Sequence, residues 1–137
     1  MPSIDACRVI ALPQIPSPEG SITPVEAGSE QVGFEIARVF YLYDIPGGAA
    51  RGGHAHHGCE QLLVCVMGSF RIAVDDGRYR RVIDLNRAYY GLYVPPLVWA
   101  EEHEFSAGAI CLVLASLPYD EADYIRDYDA FAAMKQR

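Results

Sequence analysis

The chain has 137 residues, 51% of them hydrophobic and 21% charged, enough for one domain with a buried core and no need of disulfides or structural metal. Eighteen acidic residues against eleven Lys and Arg leave a net charge of -7, so no basic stripe remains to neutralise a run of phosphates, and nucleic acid is excluded as a general partner. No apolar run approaches the roughly 20 residues that cross a bilayer. The start, MPSIDACRVIALPQIP, lacks the basic residues and long apolar stretch of a signal peptide. A cytoplasmic domain with no membrane association is expected.

Short strand-like segments follow one another along the chain. Arg38 to Tyr43 (RVFYLY) is aromatic and β-branched, and Ile45-Pro46-Gly47-Gly48 ends it. Gln61 to Val66 and Ser69 to Asp75 come next, and Asp76-Gly77 joins the second of these to Tyr79 to Leu85 as a hairpin. Gly91 to Val94 precedes Pro95-Pro96. Val98 to Phe105 and Ala109 to Ala115 are separated by Ser106-Ala107-Gly108, a hairpin-sized gap. Strands every 8 to 12 residues describe an all-β sandwich or barrel. From Asp120 the pattern turns helical, with Tyr124, Tyr128 and Phe131 on one face and Asp120 as cap. Cys7, Cys59, Cys65 and Cys111 form no C-x-x-C pair and read as reduced, mostly buried thiols.

Chemistry concentrates in one loop. Three of the four histidines lie within four positions, His54, His56 and His57. In an extended chain alternate side chains share a face, so His54 and His56 project together, Glu60 has their parity, and His57 points the other way to solvent. A neutral imidazole near its ordinary pKa of about 6.5 suits proton transfer at neutral pH.

The spacing G-x5-H-x-H-x3-E-x7-G, from Gly48 to Gly68, resembles the first motif of the cupins, small antiparallel jelly-roll barrels. Metal-binding cupins add a third histidine from a P-x-G-x-x-H motif. Here the corresponding run is Pro95-Pro96-Leu97-Val98-Trp99-Ala100, and the ligand position is Ala100. His103 is three residues out of place. A set of His54, His56 and Glu60 can hold zinc with an open position, but the missing fourth ligand favours a pocket with no metal or other cofactor.

The longer strings RVFYLYD, RGGHAHHGCEQLLVCVMGS, GLYVPPLVW and LASLPYDEADYIRDYDAF closely resemble the nucleotide-sugar 3,4-ketoisomerases, metal-free cupins of the WxcM-like group that act on dTDP-4-keto-6-deoxyglucose. The resemblance covers nearly the whole chain, from Glu19-Gly20-Ser21-Ile22 to the Asp-Tyr-Ile-Arg tail. It implies a single cupin domain over residues 1–137, with residues 120–135 as a helical tail. It also implies a homodimer in which residues 1–30, rich in proline at Pro13, Pro16 and Pro18, form an exchanged arm.

By the same resemblance His54 and His56 are the catalytic pair, with His54 taking the proton from sugar carbon 3 and His56 orienting it or shuttling protons. Arg51 holds a sugar oxygen or phosphate, and Glu60 fixes a histidine tautomer. The family's tyrosine at position 40 is Phe40 here, leaving Tyr41 or Tyr43 to offer a phenol. Ser21 and Ala100 flank the sugar. The dTDP diphosphate draws on Arg51, Arg71 and Arg80 or Arg81. The rival readings are a non-catalytic sugar-binding cupin and a related epimerase, which would use one histidine with an aspartate and a tyrosine.

Overall fold

The computed structural model describes residues 1–28 and 30–136. In chain order the strands are β1 (Arg8–Ala11), β2 (Ile15–Ser17), β3 (Gly20–Ile22), β4 (Arg38–Leu42), β5 (Arg51–His56) and β6 (Gln61–Met67). They continue with β7 (Phe70–Asp75), β8 (Arg80–Leu85), β9 (Tyr90–Val94), β10 (Trp99–His103), β11 (Ile110–Ala115) and β12 (Tyr124–Ile125), and helix α1 (Tyr128–Lys135) closes the chain. Two five-stranded antiparallel sheets result, ordered β1-β9-β6-β11-β4 and β12-β5-β10-β7-β8. Among the described residues no strand pairing joins the two sheets, so the jelly roll is an open sandwich rather than a closed barrel.

Three apolar clusters explain the strand patterns. The main core lies between the sheets, with Leu63, Cys65, Leu92 and Val113 from one and Phe70, Ile72, Val74 and Leu85 from the other. A second cluster covers the outer face of the first sheet, where Leu62, Val64 and Leu114 meet Leu12, Val32, Phe34 and Ile36. Strand β6 is therefore apolar on both faces, which is why QLLVCV reads as a continuous run rather than an alternation. The third cluster, Ala55, Trp99, Ile125 and Phe131, packs α1 beneath β5 and β10. All four cysteines are free and buried, as the sequence implies.

Two expectations are corrected. Residues 106–108 do not form a hairpin: β10 pairs with β5 and β7, while β11 pairs with β6 and β4, so the segment crosses between sheets. The helix does not start at Asp120. Asp120 caps a single 3-10 turn, Tyr124 and Ile125 pair with β5, and Asp127 caps the true helix. Pairing to the edge of β5 satisfies backbone groups that a continuous helix would have used internally. Of the first 30 residues, β1 pairs with β9 of its own chain, whereas β2 and β3 pair only with each other and are exposed throughout. Among the described residues no helix is long and apolar enough to cross a membrane.

Phe131 is fully buried between α1 and the back of the histidine strand. Phe131→Ala is expected to cost about 3–5 kcal/mol through lost burial and the cavity left behind, measured as a lower urea midpoint. An unchanged midpoint would show that α1 does not brace β5.

Candidate active site

Strand β5 lies between β10 and β12, and its C-terminal half carries the two histidines. The rings meet edge to face at 89°, 5.0 Å between centroids. Tyr124, opposite His56 in the β12–β5 register, stacks 5.0 Å from His54 and 4.4 Å from His56. His54 lines a cavity of about 230 Å³. Phe40, Leu42, Leu63 and Val113 give the cavity an apolar side. Its polar side combines His54 and Arg51 with Glu102 of β10, Tyr124 and Arg126.

His56 sits behind this surface, only 5% exposed. Its Nδ1 lies 2.9 Å from Asp123 Oδ2, and its Nε2 has no partner among the described residues. An ionised carboxylate only accepts, so Nδ1 carries the proton and Nε2 keeps its lone pair. The same carboxylate accepts from the backbone N–H of Gly58 at 2.7 Å and of Cys59 at 3.3 Å. The His57 N–H also donates to the Asp123 carbonyl at 2.8 Å. Asp123 therefore fastens the end of β5, the turn after it and the C-terminal segment into one unit. His56 Nδ1, Cys59 Sγ and an Asp123 oxygen all lie within 4.8 Å of one another. The bonds just given already engage both oxygens of Asp123, which makes the group a hydrogen-bonded clamp.

Burial governs the charge of the pair. It is the chief cause that draws His54 down to about 4, helped by the nearby His56 and Arg126 and opposed by Glu121. Burial also lowers His56, against the hydrogen bond and charge of Asp123, which raise it. Near pH 7 both rings are neutral, and His54 presents an uncharged base to the cavity. Arg126 is held in place by Glu121, which accepts from its Nε at 2.6 Å and Nη2 at 2.9 Å, and its guanidinium lies 4.3 Å over the Tyr124 ring.

The expected site residues divide sharply. His54, His56 and Arg51 are brought together, with Arg51 exposed at the cavity. Glu60 is not with them. The 57–60 turn ends the alternation, and the Glu60 carboxylate accepts instead from the Tyr93 hydroxyl at 2.6 Å. Asp123 takes the orienting role expected of Glu60. Tyr41 is 59% exposed and stacks on Tyr43, because Phe40 and Leu42 are the residues of β4 that line the cavity. Ala100 is buried opposite His54 in the β10–β5 register and belongs to the core. Ser21 is exposed on β3 and does not line the cavity of its own chain. His57 is exposed, in the turn that follows β5.

The other arginines named for the diphosphate are engaged elsewhere. Arg71 pairs with Asp84 and Glu104, Arg80 with Asp75 and Glu101, and Arg81 donates to the carbonyls of Ile4 and Cys7. His103 pairs with Glu101. Asp123, Tyr124 and Arg126 escape sequence reasoning because the Asp-Tyr-Ile-Arg run reads as helix, and Glu102 because it falls in a charged run.

Removing the Asp123 carboxylate tests the clamp. Asp123→Ala is expected to speed amide exchange at Gly58 and Cys59 by about 10- to 100-fold, the equivalent of a charge-assisted bond worth about 1.5–3 kcal/mol. Native-state hydrogen exchange measures this, and unchanged rates would show that other contacts hold the turn.

The FdtA family model, described as WxcM-like, C-terminal, matches residues 5–136. The chain is 45% identical over 124 residues, 90% of its length and 88% of the relative's, to the TDP-4-oxo-6-deoxy-alpha-D-glucose-3,4-oxoisomerase of Aneurinibacillus thermoaerophilus. Its structure is similar to that of QdtA, a sugar 3,4-ketoisomerase from Thermoanaerobacterium thermosaccharolyticum in complex with TDP, at a TM-score of 0.91 and 37% identity over 95% of this chain and 94% of that one. It is also similar to the WlaRB TDP-quinovose 3,4-ketoisomerase of Campylobacter jejuni, with a TM-score of 0.87 and 42% identity over 93% of this chain and 97% of that one. With a matched cavity-bearing sandwich and a family model spanning nearly every residue, the chain belongs to the WxcM-like FdtA family.

Proposed function

We propose that this chain is an isomerase that converts dTDP-4-keto-6-deoxyglucose to a dTDP-3-keto-6-deoxyhexose. The observation that carries the reading is a neutral, half-buried imidazole, His54, sharing one cavity with two guanidinium groups. The names of the relatives, and the TDP held by QdtA, support the substrate class.

The chemistry follows from those groups. His54 takes the proton from sugar carbon 3, which the adjacent carbonyl acidifies, and the bonding pair becomes the carbon 3–carbon 4 double bond of an enediolate. Negative charge gathers on the oxygen at carbon 4, where the planar fork of Arg51 stabilises it. His54 then returns a proton to carbon 4 as the hydroxyl proton on carbon 3 passes to the oxygen on carbon 4, leaving the carbonyl at carbon 3. Hydrogen moves only as protons, so the step needs no redox partner. His56, held by Asp123, meets His54 edge to face and positions it. Arg126 sits at the cavity on the Glu121 carboxylate and meets the diphosphate. This division of labour differs from the epimerase reading: an aspartate and a tyrosine do flank His56, but the histidine on the cavity is His54.

The active assembly in this reading is a homodimer. The β2–β3 hairpin presents Ile15 and Ile22, both more than half exposed, and among the described residues pairs with neither five-stranded sheet. Seated on a second copy, it carries Ser21 towards the partner's cavity and buries those isoleucines. Ile22→Asp is expected to weaken self-association by at least about tenfold, given about 2 kcal/mol for burying such a side chain. Sedimentation equilibrium measures it, and a monomer at all concentrations in the unaltered protein would contradict the dimer.

Incubation with dTDP-4-keto-6-deoxyglucose in deuterated water, followed by NMR, tests the reaction. The expected product is a 3-keto sugar, with deuterium at carbon 4 in those turnovers where the proton on His54 exchanges with solvent before it is returned, and with His54→Asn slower by about 100-fold or more. Substrate returned unlabelled and unconverted would refute the reading.

A further inference from the structure

Glu102 is the only acidic side chain on the cavity among the described residues, and the mechanism above gives it no task. It is 6% exposed, and its Oε2 has no hydrogen-bond partner among the described residues. Space for the carboxyl is made by its neighbour across the β10–β5 pair: a Cβ on Gly52 would lie 1.9 Å from Oε2, so a side chain there would displace the carboxyl from this position. Gly52 also has a φ of +80°, a backbone conformation that glycine adopts without strain. Apolar Phe40 and Leu42 face the same space and offer no hydroxyl. A buried carboxyl with one oxygen unpartnered weakens a fold, and an apolar side chain of similar volume would serve packing better. A group kept under those terms on a reaction cavity has a chemical use.

We propose that Glu102 is a catalytic acid–base that carries the oxygen-bound proton between two adjacent sugar oxygens, while His54 carries the carbon-bound one. The proposal rests on the ketoisomerase reading and completes its proton balance. As His54 removes the proton from carbon 3, the Glu102 carboxylic acid protonates the oxygen on carbon 4, giving a neutral enediol and a carboxylate. That carboxylate takes the proton from the hydroxyl on carbon 3 as the carbon 3 carbonyl forms. The double-bond electrons reach carbon 4, which accepts the proton held by His54. Both enzyme groups end as they began, and the sugar has exchanged its carbonyl and hydroxyl positions.

The protonation states fit this assignment. Burial raises Glu102 to about 7, opposed by a hydrogen bond from its own backbone N–H and by Arg51 and reinforced by Glu101, while His54 is drawn down to about 4. The ordinary order of imidazole and carboxyl is reversed, leaving a neutral base and a neutral acid on one cavity. The groups facing Glu102 are Arg51 and His54 from β5, Glu101 beside it, Cys111 from β11 with Cys65 behind, and Tyr124 and Arg126 from the C-terminal segment. Burial pushes both thiols up and His54 down, so among these Glu102 is the group that titrates near 7.

The test compares the full-length wild type and Glu102→Gln on dTDP-4-keto-6-deoxyglucose across pH 5–9, with circular dichroism and thermal melts alongside. The expected result is a fall in kcat of about 100-fold or more with KM little changed. The wild type's decline in kcat above about pH 7 disappears in the variant. Because Glu102 has its pKa raised on folding, the wild type loses stability as pH climbs from the unfolded carboxylate range through 7. At pH 8 the Gln variant should therefore melt no lower than the wild type, which a structural role would not give. An active wild type with a Gln variant within about threefold of it overturns the proposal alone. If the variant does not fold, the wild-type profile decides: a decline above about pH 7 supports the proposal and a flat profile overturns it. An inactive wild type overturns the ketoisomerase reading and this proposal together.

Discussion

The carboxylate of Asp123 is the contact on which the site depends. Across 67 residues of chain it accepts from His56 Nδ1, and it also accepts from two backbone amides of the turn that ends the histidine strand. Those bonds do three things at once. They fix the His56 tautomer, close the turn that lets β5 stop at His56, and seat the C-terminal segment so that Tyr124 and Arg126 reach the cavity. Helix α1, anchored through Phe131, holds that segment from below.

The second constraint is dielectric. A cavity with an apolar side from four residues of the first sheet keeps the histidines from gaining protons and the Glu102 carboxyl from losing one. Both effects come from the same withdrawal of water, which disfavours whichever form is charged. An acidic chain of net charge -7 can still meet an anionic ligand, because only two guanidinium groups need to face it. Away from the cavity, Arg71 pairs with Asp84 and Glu104, and Arg80 with Asp75 and Glu101.

Much of this was legible before any coordinates. Strand alternation put His54 and His56 on one face, and the apolar runs at Gln61 to Val66 and Ala109 to Ala115 marked central strands. What the sequence hid were contacts of long separation. Glu60 shares the parity of the histidines, but parity holds only while the chain stays extended, and the turn after His56 ends it. Asp123 takes its place from a segment whose aromatic spacing imitates a helix, since Tyr124 and Tyr128 lie four apart yet belong to a strand and a helix. Tyr41 and Phe40 show the same limit in reverse. Adjacent aromatics on one strand must face opposite ways, and only the packing of the second sheet decides which of them lines the cavity. Glu102 sits in a charged run, Glu101-Glu102-His103-Glu104, within the Val98 to Phe105 strand, and burial sets it apart from its neighbours.

The most direct measurement of the account is an NMR titration of the ¹⁵N-labelled imidazoles in the free enzyme. The account predicts His56 protonated at Nδ1 and not at Nε2 at pH 7, with His54 uncharged there and gaining its proton only near pH 4. A cationic ring at pH 7, or His56 carrying its proton on Nε2, would contradict it.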